Sequence, residues 1–113
     1  MSMYDFAQWD IVEADVPYRE NINKSSMRPV LIVSETEVLV LKMTTHHRSE
    51  KPKPYEYEVM KWEQAGLTAR TYVQCDYFIR LSEERFTGKK YGRLQVTDVI
   101  GVKQMMAYHG LSK

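Results

Sequence analysis

Five side chains that could take part in catalysis or binding lie at the two ends of one apolar segment. They are, in chain order, Arg28, Thr44, Thr45, His46 and His47. Because Pro29 follows it, Arg28 is biased towards an extended conformation at the start of a strand, and its planar guanidinium suits two phosphate oxygens. A threonine hydroxyl can add a neutral donor, and an imidazole can transfer a proton near neutral pH. Together these residue types could bind and act on a phosphate ester.

Each of these residues also has a more ordinary interpretation. An arginine before a strand is often only solvated, and a threonine at a strand end is often there for its β propensity. Two adjacent histidines in a polar loop, without further ligands, make a poor zinc site. The elements that position them must therefore decide between the interpretations.

The two clusters meet only if the runs between them pair with each other. "PVLIVS" and "EVLVLKM" are rich in β-branched residues and leucine, and about three residues separate them, which is the spacing of a hairpin. We therefore predict two central antiparallel strands. If they pair in register, the hydroxyl of Thr44 emerges near Arg28.

The remaining elements are predicted from patterning. "WDIVEADV" predicts a first strand that ends at Pro17 and turns Trp9, Ile11 and Ala14 towards a core. Two loops are predicted from their polar, turn-forming composition, an extended one over residues 17–28 and an exposed one over residues 44–54. "YEYEV" predicts a short strand.

The second half of the chain predicts both helix and strand. "MKWEQAGL" predicts a small helix with Gly66 as its C-cap, and "TARTYVQCDYF" predicts a strand that breaks near Asp76 and Tyr77. "GKKYGRL" predicts a turn and a short strand. The last segment predicts a helix with Asp98 in its first turn, Gly110 past its end and one apolar face. That face is predicted to contain Val96, Val99, Ile100, Met106 and Ala107.

Length and composition place these elements in one folded domain. The chain has 113 residues, 43% hydrophobic and 27% charged, and a net charge of +1, so residues 1–113 are expected to form one domain without a global basic signature. A single cysteine, Cys75, excludes an internal disulfide, and we expect it in the core with Trp9, Trp62, Met105 and Met106 as core or dimer contacts. No export or membrane segment is evident, so we expect a cytoplasmic protein. The fold class is mainly β with appended helices, a small bent sheet or barrel with a C-terminal helix packed on it.

An ordered set of segments resembles a known family. "WDIVEADVPY", "RPVLIVS", "VLVLKMTTH", "WEQAGL", "YVQCDYFIRLS" and "GRLQVTDVIGV", spread over residues 9–102, are similar to the PemK/MazF toxins of toxin-antitoxin modules. The resemblance implies an SH3-like barrel, a homodimer and an endoribonuclease that needs neither metal nor cofactor. It also implies two partners, single-stranded RNA and a small cognate antitoxin. The RNA would be cut by attack of its 2′-OH, leaving a cyclic phosphate and a 5′-OH.

The resemblance also suggests catalytic roles. Arg28 matches the family's arginine before proline and would bind the phosphate, Thr44 matches its active-site threonine, and Asp76 matches an aspartate proposed as general base. Some members have arginine where this chain has Gln74, and a histidine in the first loop where this chain has none. The general acid is therefore open, with His46, His47 and Arg28 as candidates. The expected RNA-binding residues are Tyr18, Arg19, Lys24, Thr45, His47, Arg48 and Gln74, with Lys51 and Lys53 adding charge.

A second class of function fits the same departures. A non-catalytic binding module on the same barrel, or a gyrase-inhibiting toxin of the CcdB type, would need no acid at the position of Gln74. Arg28 and Thr44 favour the nuclease.

Overall fold

The computed structural model describes residues 5–46 and 49–112, and their strands and helices run in the predicted order apart from the changes given below. The elements are β1 (Asp10–Pro17), β2 (Ser25–Ser34), β3 (Leu39–Thr44), β4 (Glu56–Glu58), β5 (Tyr72–Gln74), β6 (Ile79–Arg80), a 3-10 turn (Glu83–Arg85), β7 (Phe86–Arg93) and α1 (Val96–Tyr108). The fold is mainly antiparallel β with a C-terminal helix, which confirms the predicted class. No helix in the described ranges is long and apolar enough to cross a membrane.

The strands form one antiparallel sheet in the order β4-β5-β3-β2-β1-β7. β2 and β3 are central, as their apolar runs predicted. The edge of β3 that faces away from β2 is shared, because β5 pairs with Met43 and Thr44 whereas β6 pairs with Leu39 and Val40. The chain between β5 and β6 must therefore pass beside the middle of β3.

Of the loop predicted over residues 17–28, residues 18–24 are a loop, whereas Pro17 and residues 25–28 belong to strands. Val16 pairs with Ser26 and Pro17 with Ser25, so β1 and β2 form a hairpin whose connection is residues 18–24. The backbone N–H of Tyr18 donates to the Lys24 carbonyl (2.9 Å) and closes that connection. The hydrogen bonds between paired strands join backbone groups whatever the side chains are. The polar residues at the ends of this segment therefore did not prevent strand formation.

Both faces of the central sheet are buried, each by its own cluster. Ile11, Leu31, Leu41, Met43 and Val73 belong to the larger core, which α1 covers. The other face packs Val12, Ala14, Val16, Val30, Ile32 and Val40 against Leu81 and Phe86. Ile11 and Val12 are both fully buried because they point to opposite faces of the sheet, and each face has its own core.

The small helix predicted for "MKWEQAGL" does not form. Residues 60–66 are turns, in which Ala65 N–H donates to Lys61 O and Leu67 N–H to Trp62 O. Gly66 has φ +90°, so it ends these turns as a C-cap glycine would. A Cβ at Gly66 would overlap with the Tyr91 carbonyl, so the turns pack directly on the β7 backbone. "GKKYGRL", predicted as a turn and a short strand, lies in the continuous strand β7 except for its last residue, Leu94.

Helix α1 forms as predicted, but only Met106 and Val99 of the predicted apolar face pack on the core. Val96 and Ile100 are 75% and 53% exposed and Ala107 is exposed, whereas Asp98, Val102 and Met106 are buried. The carboxylate of Asp98 accepts hydrogen bonds from Tyr57 Oη (2.6 Å), Met60 N–H (3.0 Å) and Lys61 N–H (2.9 Å). Because these bonds satisfy it, a buried polar residue sets the orientation of the helix, which apolar periodicity could not show.

Candidate active site

β2 and β3 bring Arg28 and Thr44 to the same end of the sheet. The pairing of β2 with β3 ends at Val30 and Lys42, and Arg28 and Thr44 each follow two residues beyond that pair. Both residues border a cleft of about 260 Å³. The other residues that line it are Met27, Pro29, Met43, Thr45 and Thr71.

The guanidinium of Arg28 is oriented by a serine on its own strand. Nε and Nη2 of Arg28 donate to Ser26 Oγ at 3.2 and 2.8 Å. Ser26 is two residues earlier, so its side chain is on the same face of β2. The arginine is half-buried and its fork is held beside the cleft, the position that an anion ligand requires.

The threonine pair ends β3 with one half-buried and one exposed residue. Thr44 Oγ1 donates to the Thr45 carbonyl at 3.3 Å, a long bond. A donor in so long a bond can turn to a better acceptor at small cost. Met43, which alternates with these threonines, is fully buried and anchors the end of the strand.

Asp76 is in the chain segment that passes beside β3 between β5 and β6. Its Oδ1 accepts from Gln74 Nε2 (3.0 Å), and Arg19 Nη1 is 3.7 Å from its Oδ2. The Arg19 guanidinium also stacks over the Tyr77 ring, 4.1 Å from the centroid. The first loop and the break after β5, distant in sequence, therefore meet through Arg19 and Asp76.

His46 is held by carboxylates on both sides of its ring. Nε2 is 2.8 Å from Glu56 Oε1 and Nδ1 is 3.5 Å from Glu50 Oε2. The ring centroid is 4.8 Å from that of Tyr72, and the side chain is only 12% exposed. Glu56 also accepts the Lys53 backbone N–H (2.6 Å), so these contacts fasten the chain after β3 to β4.

Lys42 is a residue of this region that the sequence patterns did not predict to be functional. Its pKa is lowered by burial first and then by the positive charge of Arg28, while Glu20, Glu56 and Asp76 act in the opposite direction. The ammonium makes no hydrogen bond or ion pair with residues 5–46 or 49–112. The available signal in the sequence was a lone lysine inside the apolar run "VLVLKMT", two residues before Thr44.

The other predicted RNA-binding residues are not gathered around the cleft. Tyr18 and Lys24 close the turn between β1 and β2, and neither lines the cleft. Lys51 and Lys53 are exposed. His47 and Arg48 are outside the described residues.

The residues predicted to belong to the core do so. Cys75 is fully buried, as predicted, and burial raises the pKa of its thiol to about 12, so it remains a protonated core residue near neutral pH. Met106 is buried, and Trp9, Trp62 and Met105 pack against the same core.

Within the described ranges, no group of three or more His, Cys, Asp or Glu side chains is arranged to hold a metal ion.

The fold and the cleft define a small antiparallel β protein with an arginine and two threonines at one end of its central strands. Residues 7–109 match the family described as PemK-like, MazF-like toxin of type II toxin-antitoxin system, and the chain belongs to that family. Among solved structures, an endoribonuclease in complex with its cognate antitoxin from a mycobacterial species has a similar fold, with a TM-score of 0.69 at 20% identity. The alignment covers 96% of this chain and 98% of that one. No curated protein sequence matches the chain significantly.

Proposed function

We propose that this chain is the toxin of its module and a metal-independent endoribonuclease that cuts single-stranded RNA. The 2′-oxygen attacks the adjacent phosphorus and the bond to the 5′-oxygen breaks, which leaves a 2′,3′-cyclic phosphate and a 5′-OH. The observation that carries the proposal is the placement of Arg28 and Thr44 together at one cleft. Family membership gives this geometry its meaning.

In this mechanism Arg28 and Thr44 hold the phosphate. The guanidinium offers a charged fork to two oxygens, and the Thr44 hydroxyl adds a neutral donor as negative charge builds up on the phosphorane oxygens. Asp76 takes the proton of the 2′-OH, and the bond from Gln74 directs its carboxylate. The reaction also needs a group that protonates the 5′-oxygen.

The surrounding cations and aromatic rings favour an unpaired strand as substrate. Arg19 over Tyr77 forms a charged, flat surface beside Asp76, on which a base can stack while a phosphate is held. We assign RNA contacts also to Tyr18, Lys24, Thr45 and Gln74, and, outside the described residues, to His47 and Arg48. His46, with both ring nitrogens near carboxylates, is better suited to positioning the chain after β3 than to transferring a proton.

The proposed partners follow from the family. We expect a cognate antitoxin whose segment covers the cleft, and a cytoplasmic location where mRNA is available. We also expect a homodimer, with a mass of twice 13.3 kDa by light scattering. The exposed apolar side chains of Val96 and Ile100 on α1 offer surface for such a contact.

The test is cleavage of a long single-stranded RNA in the presence of EDTA. We expect the wild-type protein to cut at defined sites, and Arg28→Ala to cut about 10²-fold or more slowly because a charged phosphate donor is lost. Arg80→Ala is the matched control, since Arg80 is 70% exposed and pairs only loosely with Glu37. Uncut RNA, or equal cutting by Arg28→Ala, would reject the nuclease and favour the non-catalytic or gyrase-inhibiting alternative.

A further inference from the structure

We propose that Lys42 donates the proton to the 5′-oxygen that leaves when the RNA is cut. The inference rests on the proposed nuclease function and fills the one role which that function leaves open.

The geometry that carries this inference is the position of Lys42 in the sheet. Its partner on β2 is Val30. Arg28 is two residues before Val30 and Thr44 is two residues after Lys42, so all of these side chains are on the same face of the sheet. On its other side, Lys42 lies between the parts of β3 that pair with β5 and β6. Asp76 is in the segment that crosses this gap. Along β3, Lys42 is therefore two residues from Thr44 and beside the segment that contains Asp76, next to the residues that line the cleft rather than among them.

The ammonium is available for a substrate. It has no hydrogen-bond or ion-pair partner among the described residues, although Arg28 on β2, Glu20 in the first loop, Glu56 on β4 and Asp76 after β5 all act on its charge. Burial and Arg28 lower its pKa, which makes the ammonium a stronger acid than an ordinary lysine. Glu20, Glu56 and Asp76 act in the opposite direction and favour the charged form.

Of the other candidates for the acid, His47 is outside the described residues, and Arg28 and His46 are weaker on geometry. A guanidinium does not give up its proton in proteins, so Arg28 can stabilise charge but transfers no proton readily. Both nitrogens of His46 face Glu56 and Glu50, and the ring is packed beside Tyr72. Gln74 has no titratable group. Lys42 is the described side chain that combines an acidic proton, proximity to Arg28 and no competing partner.

The proposed step balances. The Asp76 carboxylate accepts the 2′-OH proton as the oxygen attacks phosphorus, and the bond from phosphorus to the 5′-oxygen breaks. The departing oxygen takes a proton from Lys42 Nζ, so the products are the cyclic phosphate, a 5′-OH, a neutral lysine and a protonated aspartic acid. Exchange with water restores both side chains.

The test varies the leaving group of the substrate as well as Lys42, so that one substrate needs a proton donor and the other does not. A long single-stranded RNA first maps a wild-type cut site in EDTA. Two short oligoribonucleotides containing that site are then compared, one with the natural 5′-oxygen and one with a bridging 5′-sulfur, whose thiolate leaves without protonation. We expect Lys42→Met and Lys42→Arg to cut the oxygen substrate about 10²-fold or more slowly, and the sulfur substrate within about tenfold of wild type.

Two controls separate this role from others. Lys103→Met removes an exposed lysine of α1 and should cut both substrates like wild type. Arg28→Ala should be slow on both, because phosphate binding is needed whatever group leaves. Thermal unfolding shows whether each variant is folded. If Lys42→Met does not fold, the comparison uses Lys42→Arg.

The outcomes are distinguishable. If the wild-type protein cuts no RNA, the proposed function fails and the role of Lys42 fails with it. If the wild type cuts and the Lys42 variants cut the oxygen substrate equally well, only the role of Lys42 is overturned. Equal defects on oxygen and sulfur substrates also overturn it, since they indicate phosphate binding or a structural effect.

Discussion

The polar side chains of the cleft region differ chiefly in what already holds them. Arg28 is directed by a neutral serine, which leaves its charge for an anion, whereas His46 is placed between two carboxylates. Residue type alone marks the histidine as the more reactive group. We propose that its partners instead give it a structural role, in which it connects the chain after β3 to Glu56 of β4.

A prediction at this scale separates positioning from catalysis at His46. His46→Gln keeps an amide donor for Glu56 and should keep RNA cleavage within about tenfold of wild type. It should lower the free energy of unfolding by about 1–2 kcal/mol, because a buried charge-assisted bond is weakened. Urea unfolding and the cleavage assay provide both measurements.

Glu50→Gln is the matched control for this experiment. Glu50 is 50% exposed and 3.5 Å from the ring, so its change should cost less than about 0.5 kcal/mol. Complete loss of cleavage in a folded His46→Gln protein would instead make the imidazole a proton-transfer group.

The elements behind the site are locked together by α1. Asp98 on the helix binds Tyr57 of β4 and two backbone N–H groups of the turn that follows, and burial, together with Asp98, raises the pKa of Tyr57. Gly101, one turn further along the helix, faces the Tyr57 ring so closely that a Cβ would overlap with it. Because Glu56 precedes Tyr57, this lock also fixes the carboxylate that holds His46.

Gly101→Ala should therefore destabilise the protein, against the usual direction. In an exposed helix the change stabilises by about 1 kcal/mol, but here the Tyr57 ring must move, and we expect a net loss of about 1–3 kcal/mol. A double-mutant cycle with Tyr57→Leu measures the cause, since the smaller side chain should relieve much of the loss. Lys103→Ala, at an exposed position of the same helix, should be nearly neutral.

If Gly101→Ala raises the unfolding midpoint, the close contact between α1 and β4 is wrong. An equal loss in both the wild-type and Tyr57→Leu backgrounds would also place the cause elsewhere than at the ring.

At the scale of the whole molecule, the sheet is stabilised by two cores, and the larger one contains an ionisable group. Cys75 is fully buried there, and burial raises the pKa of its thiol from 9.0 to about 12. The folded chain thus keeps the proton over a pH range in which the unfolded chain releases it. This contribution to stability is complete below about pH 9 and is lost as the pH rises towards 12.

Between pH 8 and pH 10, the wild-type protein should therefore lose about 1 kcal/mol more stability than Cys75→Ala. Urea unfolding of both proteins at the two pH values gives the difference. The alanine variant is less stable at pH 8 because a packed group is lost, so the pH dependence rather than the absolute value decides. Parallel losses in the two proteins would contradict a protonated thiol in the core.

The sequence predicted those parts of the fold that depend on apolar patterning. The runs on either side of Glu35 identified the central hairpin, and with it the meeting of Arg28 and Thr44. Patterning failed where backbone or polar contacts decide: Ser25 and Ser26 pair with β1 despite their loop-like character, and buried Asp98 turns α1 by its hydrogen bonds. Lys42 had one signal, its place inside an apolar run two residues before Thr44, and the register then showed that it shares a face with Arg28.

The central claim is that the 2′-OH of the RNA is the nucleophile at a site built on Arg28 and Thr44. The most direct measurement uses an oligoribonucleotide that contains a mapped cut site and a single 2′-deoxynucleotide on the 5′ side of the scissile bond, incubated in EDTA. We predict that this bond is not cut, while the all-ribose strand yields a cyclic phosphate and a 5′-OH. Cleavage of the deoxy-substituted bond at a comparable rate would contradict the mechanism.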